Sequence, residues 1–138
     1  MLDSALDLCQ VRRALIIDDE GAVRAVLRRW LTRRGWEVSE APDGAAALAS
    51  LCVPAGTRES PFDVVICDLR MPALSGPELH AWATLHRPAI LRHLVFASGD
   101  VQEAVAADFL QSCGCPVLEK PFELIRLEEI IAELATRV

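Results

Sequence analysis

The sequence predicts an α/β domain in which helices cover a parallel sheet. Five short apolar runs alternate with five amphipathic stretches along the 138 residues, and this alternation is typical of right-handed βαβ units. The run at residues 64–67 is apolar at every position, which indicates a strand buried on both faces. A chain of this length buries about 70% of its unfolded surface, so a core can form without disulfides or a structural metal.

The predicted strands are short, apolar and rich in β-branched residues. They cover residues 14–17, 36–41, 62–67, 94–97 and 117–119. The predicted helices have apolar residues at helical spacing, and Gly35 supplies a stop signal after the first of them. They cover residues 21–34, 42–52, 77–86, 101–112 and 123–137. The apolar face of the first helix is predicted to consist of Val23, Val26, Leu27 and Trp30.

The domain is predicted to span residues 14–138, after an N-terminal extension or linker remnant at residues 1–13. Leu2, Leu6 and Cys9 lie at helical spacing in that extension, although terminal segments of this kind are usually frayed.

Composition excludes several classes of function. The 20 acidic and 14 basic side chains give a net charge of -6, which argues against nucleic-acid binding. No apolar stretch reaches the roughly 18–20 residues of a membrane span, and Asp3 and Asp7 interrupt any signal peptide. Five cysteines fit neither a disulfide framework nor a zinc pair, so we expect a cytoplasmic protein.

Polar residues follow four of the five predicted strands. They are Asp18, Asp19, Asp68, Ser98 and Lys120. In open α/β sheets ligands bind beyond the carboxyl ends of the strands. Clustered carboxylates repel one another unless a cation intervenes, and oxygen ligands favour Mg²⁺ over zinc. A metal, a lysine and a hydroxyl together can bind a phosphoryl group, and Asp68 is the best placed carboxylate to form an aspartyl phosphate.

The same positions resemble the receiver domains of two-component response regulators, across about residues 12–135. Four segments carry the resemblance, in the family's order: IIDDE at 16–20, CDLRMPALSG at 67–76, FASGD at 96–100 and EKPF at 119–122. The resemblance implies a flavodoxin-like, doubly wound (βα)5 fold with a five-stranded parallel sheet in the order 2-1-3-4-5. It also implies a cis peptide bond between Lys120 and Pro121.

The resemblance further implies that Asp68 accepts a phosphoryl group, with Mg²⁺ as cofactor. The donor would be a phosphohistidine of a histidine kinase or a histidine phosphotransfer protein. Asp19, Asp68 and the backbone carbonyl of Arg70 would bind the ion directly, and Asp18 would act through a metal-bound water. Such a chain modifies itself, with intrinsic autodephosphorylation as an added activity, and is not a turnover enzyme.

By the same resemblance, Ser98 would hydrogen-bond the phosphoryl group and Lys120 would pair with it. The aromatic switch residue that many family members carry on the fifth strand is replaced by Val117. We therefore expect any signal to pass through the loop after the fourth strand and the helix at residues 101–112. A salt bridge between Arg70 and Asp100 is predicted to cover the site and to affect phosphoryl lifetime.

Three questions stay open at this stage. The chain could be a receiver-like interaction module that works without phosphorylation, or, less in keeping with Arg70 at the general-acid position, a metal-dependent phosphohydrolase. It could be a stand-alone receiver or a piece of a longer protein such as a hybrid histidine kinase. The arginine-rich first helix, on which Arg24, Arg28, Arg29 and Arg33 mostly take the outer face, has two interpretations, a solvated face or a docking surface for the kinase.

Overall fold

The computed structural model describes residues 11–52, 60–99 and 103–136. It has one parallel sheet in the order β2-β1-β3-β4-β5, which confirms the predicted flavodoxin-like fold. The strands are β1 (Arg13–Ile17), β2 (Glu37–Ala41), β3 (Val64–Asp68), β4 (Leu94–Ser98) and β5 (Val117–Glu119). The helices are α1 (Gly21–Arg33), α2 (Gly44–Leu51), α3 (Gly76–His86), α4 (Ala104–Cys113) and α5 (Leu124–Thr136), and a 3₁₀ helix (Pro88–His93) precedes β4.

Two hydrophobic clusters lie on opposite faces of the sheet, because successive strand side chains point to opposite sides. One cluster joins the sheet to α2, α3 and α4, with Phe96 buried at its centre. The other joins it to α1 and α5 through residues such as Leu27 and Ile130. Every residue of β3 is buried, as the continuous apolar run predicts.

Several predicted boundaries shift in the structure. The third strand begins at Val64 and includes Asp68, because Asp68 still pairs with Ala97 of β4. The fourth helix begins at Ala104, since the Glu103 side chain caps it; residues 101 and 102 lie outside the described part. Val26 was wrongly predicted to face the core, because it is 51% exposed. A rotation of about 100° per residue leaves it at the edge of the buried stripe.

The start of α3 fixes the loop after β3. Ser75 and Glu78 form a reciprocal capping box, and the Gly76 N–H donates to the Leu69 carbonyl at 2.9 Å. A Cβ on Gly76 would lie 2.9 Å from Phe96 Cε1 and 3.0 Å from the Leu69 Cα. Glycine therefore allows α3 to begin directly against the end of β3 and the ring beneath it.

Two other predictions concern the chain's ends and the membrane. Residues 1–10, with Leu2, Leu6 and Cys9, lie outside the described part of the structure. Among the described residues, no helix combines the length and apolar character that a bilayer crossing requires.

Candidate functional site

The sheet brings the predicted site residues to its carboxyl edge. Asp68 is the last residue of β3 and Ser98 the last residue of β4. Asp18 directly follows β1, and Lys120 follows β5. Asp18, Asp68 and Ser98 are 2%, 8% and 2% exposed, respectively. Because buried polar groups need partners, the contacts between these residues define the site.

Lys120 bridges two of the buried carboxylates. Its Nζ donates to Asp18 Oδ2 at 2.9 Å and lies 3.6 Å from Asp68 Oδ1. Burial alone would lower the pKa of Lys120, but the hydrogen bond to Asp18 and the charges of Asp68 and Asp18 outweigh it. The pKa of Lys120 therefore lies above its ordinary value, and the ammonium stays charged. The peptide bond from Lys120 to Pro121 is cis, as the resemblance implies.

The Asp68 carboxyl group has a raised pKa. Burial raises its pKa, the Lys120 ammonium lowers it, and the carboxylate of Asp18 raises it again, to about 6 in all. The Arg70 N–H also donates to Asp68 Oδ1, at 3.4 Å. Burial and the neighbouring carboxylates together outweigh the one lysine, so a further cation would favour the ionised form of Asp68.

The acidic loop after β1 has the donor chemistry of a magnesium site. Carboxylate oxygens of Asp18, Asp19 and Glu20 lie within 4.8 Å of one another, and the charge of Asp19 is close enough to raise the pKa of Asp68. These oxygen donors fit Mg²⁺. Glu20 is a candidate that the sequence analysis missed, although three consecutive acidic residues at a strand end were a signal for it.

The ends of β4 and β5 are tied together beside the acidic loop. The Lys120 N–H donates to the Ser98 carbonyl at 2.8 Å, and Ser98 pairs with Glu119 in the sheet. The buried Ser98 therefore lies one strand away from both Asp68 and Lys120. Val117 is half-buried at the start of β5, opposite Phe96.

Arg70 contacts an unexpected partner. Its Nη2 donates to Glu103 Oε2 at 3.1 Å, and the Glu103 carboxylate also accepts from the N–H groups of Val105 and Ala106. These backbone hydrogen bonds, and then the Arg70 charge, lower the pKa of Glu103. The predicted partner, Asp100, lies outside the described residues. The sequence analysis missed Glu103 because its position at a helix start was not recognised.

Arg24 was predicted to lie on the outer face of the first helix, but it reaches into the site. Its Nη1 donates to the Asp18 carbonyl at 2.6 Å, and its Nε donates to Glu40 Oε1 at 3.1 Å. Arg28 pairs with the other oxygen of Glu40. Two of the four arginines on α1, Arg24 and Arg28, are thus paired within the domain.

Comparisons with known proteins identify the family. A family model described as the response regulator receiver domain matches residues 14–132. The chain is 32% identical to the sensor kinase CckA of Brucella abortus over 96% of this chain and 13% of that protein. It is 30% identical to the receiver protein CpdR of the same organism, over 83% of this chain and 88% of that protein. It spans 47% of the probable transcriptional regulatory protein TcrX of Mycobacterium tuberculosis.

Solved structures agree in fold. A receiver protein from Pseudomonas putida aligns with a TM-score of 0.71 at 27% identity, over 90% of this chain and 98% of that chain. The chemotaxis regulator CheY4 of Vibrio cholerae aligns with a TM-score of 0.72 at 24% identity, over 91% and 99%. The chain belongs to the receiver domain family of two-component signalling. Receiver domains are generally phosphoacceptors rather than turnover enzymes, and histidine kinases or phosphotransfer proteins phosphorylate them.

Proposed function

We propose that this chain accepts a phosphoryl group on Asp68 from a phosphohistidine and that this modification switches its contacts with a partner. The observation that carries the proposal is the arrangement around Asp68. Asp68 is the last residue of β3, and its buried carboxylate lies 3.6 Å from the Lys120 ammonium. Its pKa is raised to about 6, mainly by burial. The group is poised to gain from a cation and to react as a nucleophile.

In the proposed transfer, an Asp68 carboxylate oxygen attacks the phosphorus atom of the donor. The new O–P bond forms as the P–N bond to the donor histidine breaks, and the electron pair of that bond stays on the imidazole nitrogen. Lys120 then neutralises a phosphoryl oxygen, and the Ser98 hydroxyl donates a hydrogen bond to another. The Lys120 ammonium already lies 3.6 Å from Asp68 Oδ1, which limits the reorganisation that its part requires.

Magnesium completes the proposed site. Asp19, Asp68 and the Arg70 carbonyl would hold it directly and Asp18 through a water, with Glu20 as a further nearby carboxylate. When bound, the ion neutralises oxygen charge that builds up on the transferring group. Lys120 supplies a single positive charge for the carboxylates that meet here, so the residues fit a divalent cation.

We further propose that the switch runs through Ser98 and α4 and does not use ring rotation on β5. A phosphoryl group adds roughly -1.5 to -2 charge, which would draw the Ser98 hydroxyl and its loop inward. Val117 offers no aromatic ring at the family's switch position. Crystal structures with and without beryllofluoride test this. A shift at residues 98–101 supports it, and an unchanged loop contradicts it.

The length of the relatives leaves two settings for the proposed domain, which we take to span residues 14–138. The match to CckA covers a small part of that sensor kinase, in line with a receiver inside a hybrid kinase. The match to CpdR covers most of that receiver protein, in line with a stand-alone receiver. In either setting the proposed phosphoryl donor is a phosphohistidine.

The test is chemical modification with acetyl phosphate and Mg²⁺, followed by intact-mass measurement and peptide mapping. We expect one hydroxylamine-labile phosphoryl group on Asp68, lost when EDTA is added beforehand. Asp68→Asn should abolish it, whereas Asp108→Asn, the same change on the exposed side of α4, should not. Unmodified protein at every time point, despite bound Mg²⁺, would contradict phosphoacceptance and favour a phosphorylation-independent module.

A further inference from the structure

We propose that Arg24 is a positioning residue that holds the acidic loop after β1 in the geometry that magnesium requires. This inference rests on the proposed function. It concerns the affinity of the site for the ion and not the transfer step itself. Arg24 lies on α1, and it contacts the loop through the backbone of Asp18 and not through a carboxylate.

The geometry surrounding Asp18 shows what Arg24 contributes. The Asp18 N–H donates to the Ala41 carbonyl at 3.1 Å, and its side-chain oxygens accept from the Glu20 N–H and Lys120 Nζ, both at 2.9 Å. The Asp18 carbonyl accepts from Arg24 Nη1 at 2.6 Å. Each polar atom of Asp18 is thus held by a different part of the chain, and α1 supplies the bond to the carbonyl.

Glu40 holds Arg24 in turn. The Arg24 Nε donates to Glu40 Oε1 at 3.1 Å, and the Arg24 side chain is only 20% exposed. Glu40 lies on β2, directly before Ala41, whose carbonyl accepts the Asp18 N–H. A guanidinium offers donors in a fixed planar fork, so it can bind a carbonyl and a carboxylate together. The loop is therefore clamped between α1 and β2.

Charge and position have opposite effects at Arg24, and this makes the inference testable. Removing the positive charge of Arg24 from beside the three carboxylates strengthens Mg²⁺ binding, whereas releasing the loop weakens it. Lysine keeps the charge but offers a single ammonium in place of the fork, so Arg24→Lys isolates the positional effect. Arg28→Lys is the matched control, because Arg28 pairs with the same Glu40 from a position 59% exposed.

The experiment measures Mg²⁺ binding by isothermal titration calorimetry and phosphorylation by acetyl phosphate across a magnesium series. Loss of residues that orient metal ligands typically weakens affinity by 10–100-fold. We expect Arg24→Lys to raise the Mg²⁺ dissociation constant about tenfold and to shift half-maximal phosphorylation to higher Mg²⁺ by the same factor. The rate at saturating Mg²⁺ should stay within about twofold of the parent, because Lys120 and Ser98 are untouched.

The outcomes separate the positional role from general damage and from the proposed function. An Arg24→Lys rate that falls equally at all Mg²⁺ concentrations, or a dissociation constant equal to that of the parent, overturns the inference and leaves phosphoacceptance intact. Arg28→Lys shifting as far as Arg24→Lys also overturns it. If Arg24→Lys fails to fold by circular dichroism, Glu40→Asp, which keeps the charge but shortens the side chain that holds Arg24, decides the question: a raised dissociation constant supports the clamp and an unchanged one overturns it. A parent that neither binds Mg²⁺ nor is modified contradicts the proposed function itself.

Discussion

At the scale of the residue, the ionised side chain of Asp68 destabilises the folded state. Its carboxylate is buried, and burial, with the neighbouring Asp18 and Asp19, raises its pKa from the ordinary 3.8 to about 6 in spite of Lys120. A group placed for reactivity is often held at some expense of folding free energy. The metal-free domain therefore carries a stability penalty at neutral pH that is concentrated in one side chain.

We expect Asp68→Asn to raise the free energy of unfolding of the metal-free protein by on the order of 2 kcal/mol at pH 7.5. Because the folded pKa is raised, the protonated form stabilises the parent fully below pH 3.8, and this stabilisation is lost as pH rises through about 6. The advantage of asparagine should therefore shrink towards pH 4.5. Urea denaturation with EDTA at several pH values measures it.

The matched control is Asp108→Asn, which makes the same change on the exposed side of α4. We expect it to alter the unfolding free energy by less than about 0.5 kcal/mol, with no dependence on pH around 6. An Asp68→Asn protein no more stable than the parent at pH 7.5 would contradict the raised pKa of Asp68.

At the scale of the element, one salt bridge joins the loop after β3 to the first turn of α4. Arg70 lies two residues beyond Asp68, and its partner Glu103 caps the helix. Both side chains are largely exposed, and exposed ion pairs are weak because water and salt screen them. The pair therefore matters little for stability, and we propose that its role is to hinder water on its way to Asp68.

We expect Arg70→Ala to accelerate loss of the phosphoryl group from Asp68 by up to about fivefold, which corresponds to a weak exposed pair. Glu103→Gln should have a similar effect, because it keeps an oxygen for the helix N–H groups but loses the charge. The double variant should add nothing further. Phosphoryl decay after removal of acetyl phosphate, followed by mass spectrometry, gives the rates.

Asp100→Asn distinguishes the predicted Asp100 partner from the observed Glu103. If Asp100→Asn accelerates decay and Glu103→Gln does not, Asp100 is the functional partner of Arg70. If Arg70→Ala leaves the decay rate unchanged, neither pair shields the site.

The close packing of the start of α3 against β3 and β4 leads to a second prediction at this scale. A Cβ on Gly76 would approach Phe96 and the Leu69 backbone to about 3 Å, and backbone cannot yield as a flexible side chain does. We expect Gly76→Ala to lower the free energy of unfolding by about 1–3 kcal/mol. Gly21→Ala is the control, since its Cβ would meet Arg24 at an ordinary 3.6 Å. A neutral Gly76→Ala in denaturant titration would contradict the close packing.

At the scale of the whole molecule, local patterns in the sequence suffice to predict most elements. The buried run of β3 and the alternation of strands and helices define the α/β class, whereas the order 2-1-3-4-5 depended on the family resemblance. Strand periodicity carries no information about which strands are neighbours. Val26 was misplaced because a helix with four candidate apolar positions leaves its buried arc uncertain by about one residue in rotation.

The site residues at strand ends were accessible from the sequence because topology alone gathers them at one edge. Glu103 and Arg24 were not. Each acts through contacts between elements distant in sequence: Arg70 lies 33 residues from Glu103, and Arg24 lies 16 residues from Glu40. A long, charged side chain reaches in many directions, so its partner depends on packing that periodicity does not encode.

Magnesium is expected to stabilise the whole domain, because the folded state gathers carboxylates that the unfolded chain keeps apart. A ligand that binds only the folded state adds RT ln(1 + [L]/Kd) to the free energy of unfolding, or about 1.4 kcal/mol at ten times the dissociation constant.

We expect the thermal midpoint at pH 7.5 to rise with Mg²⁺ at constant ionic strength, and the rise to be largely lost in Asp19→Asn. At pH 5 the gain should also shrink, because Asp68, with a pKa of about 6, then holds a proton that the ion must displace. Differential scanning calorimetry gives both comparisons, with Asp108→Asn as the control that should respond like the parent. An equal rise in Asp19→Asn and the parent would place the ion elsewhere than at the carboxyl edge of the sheet.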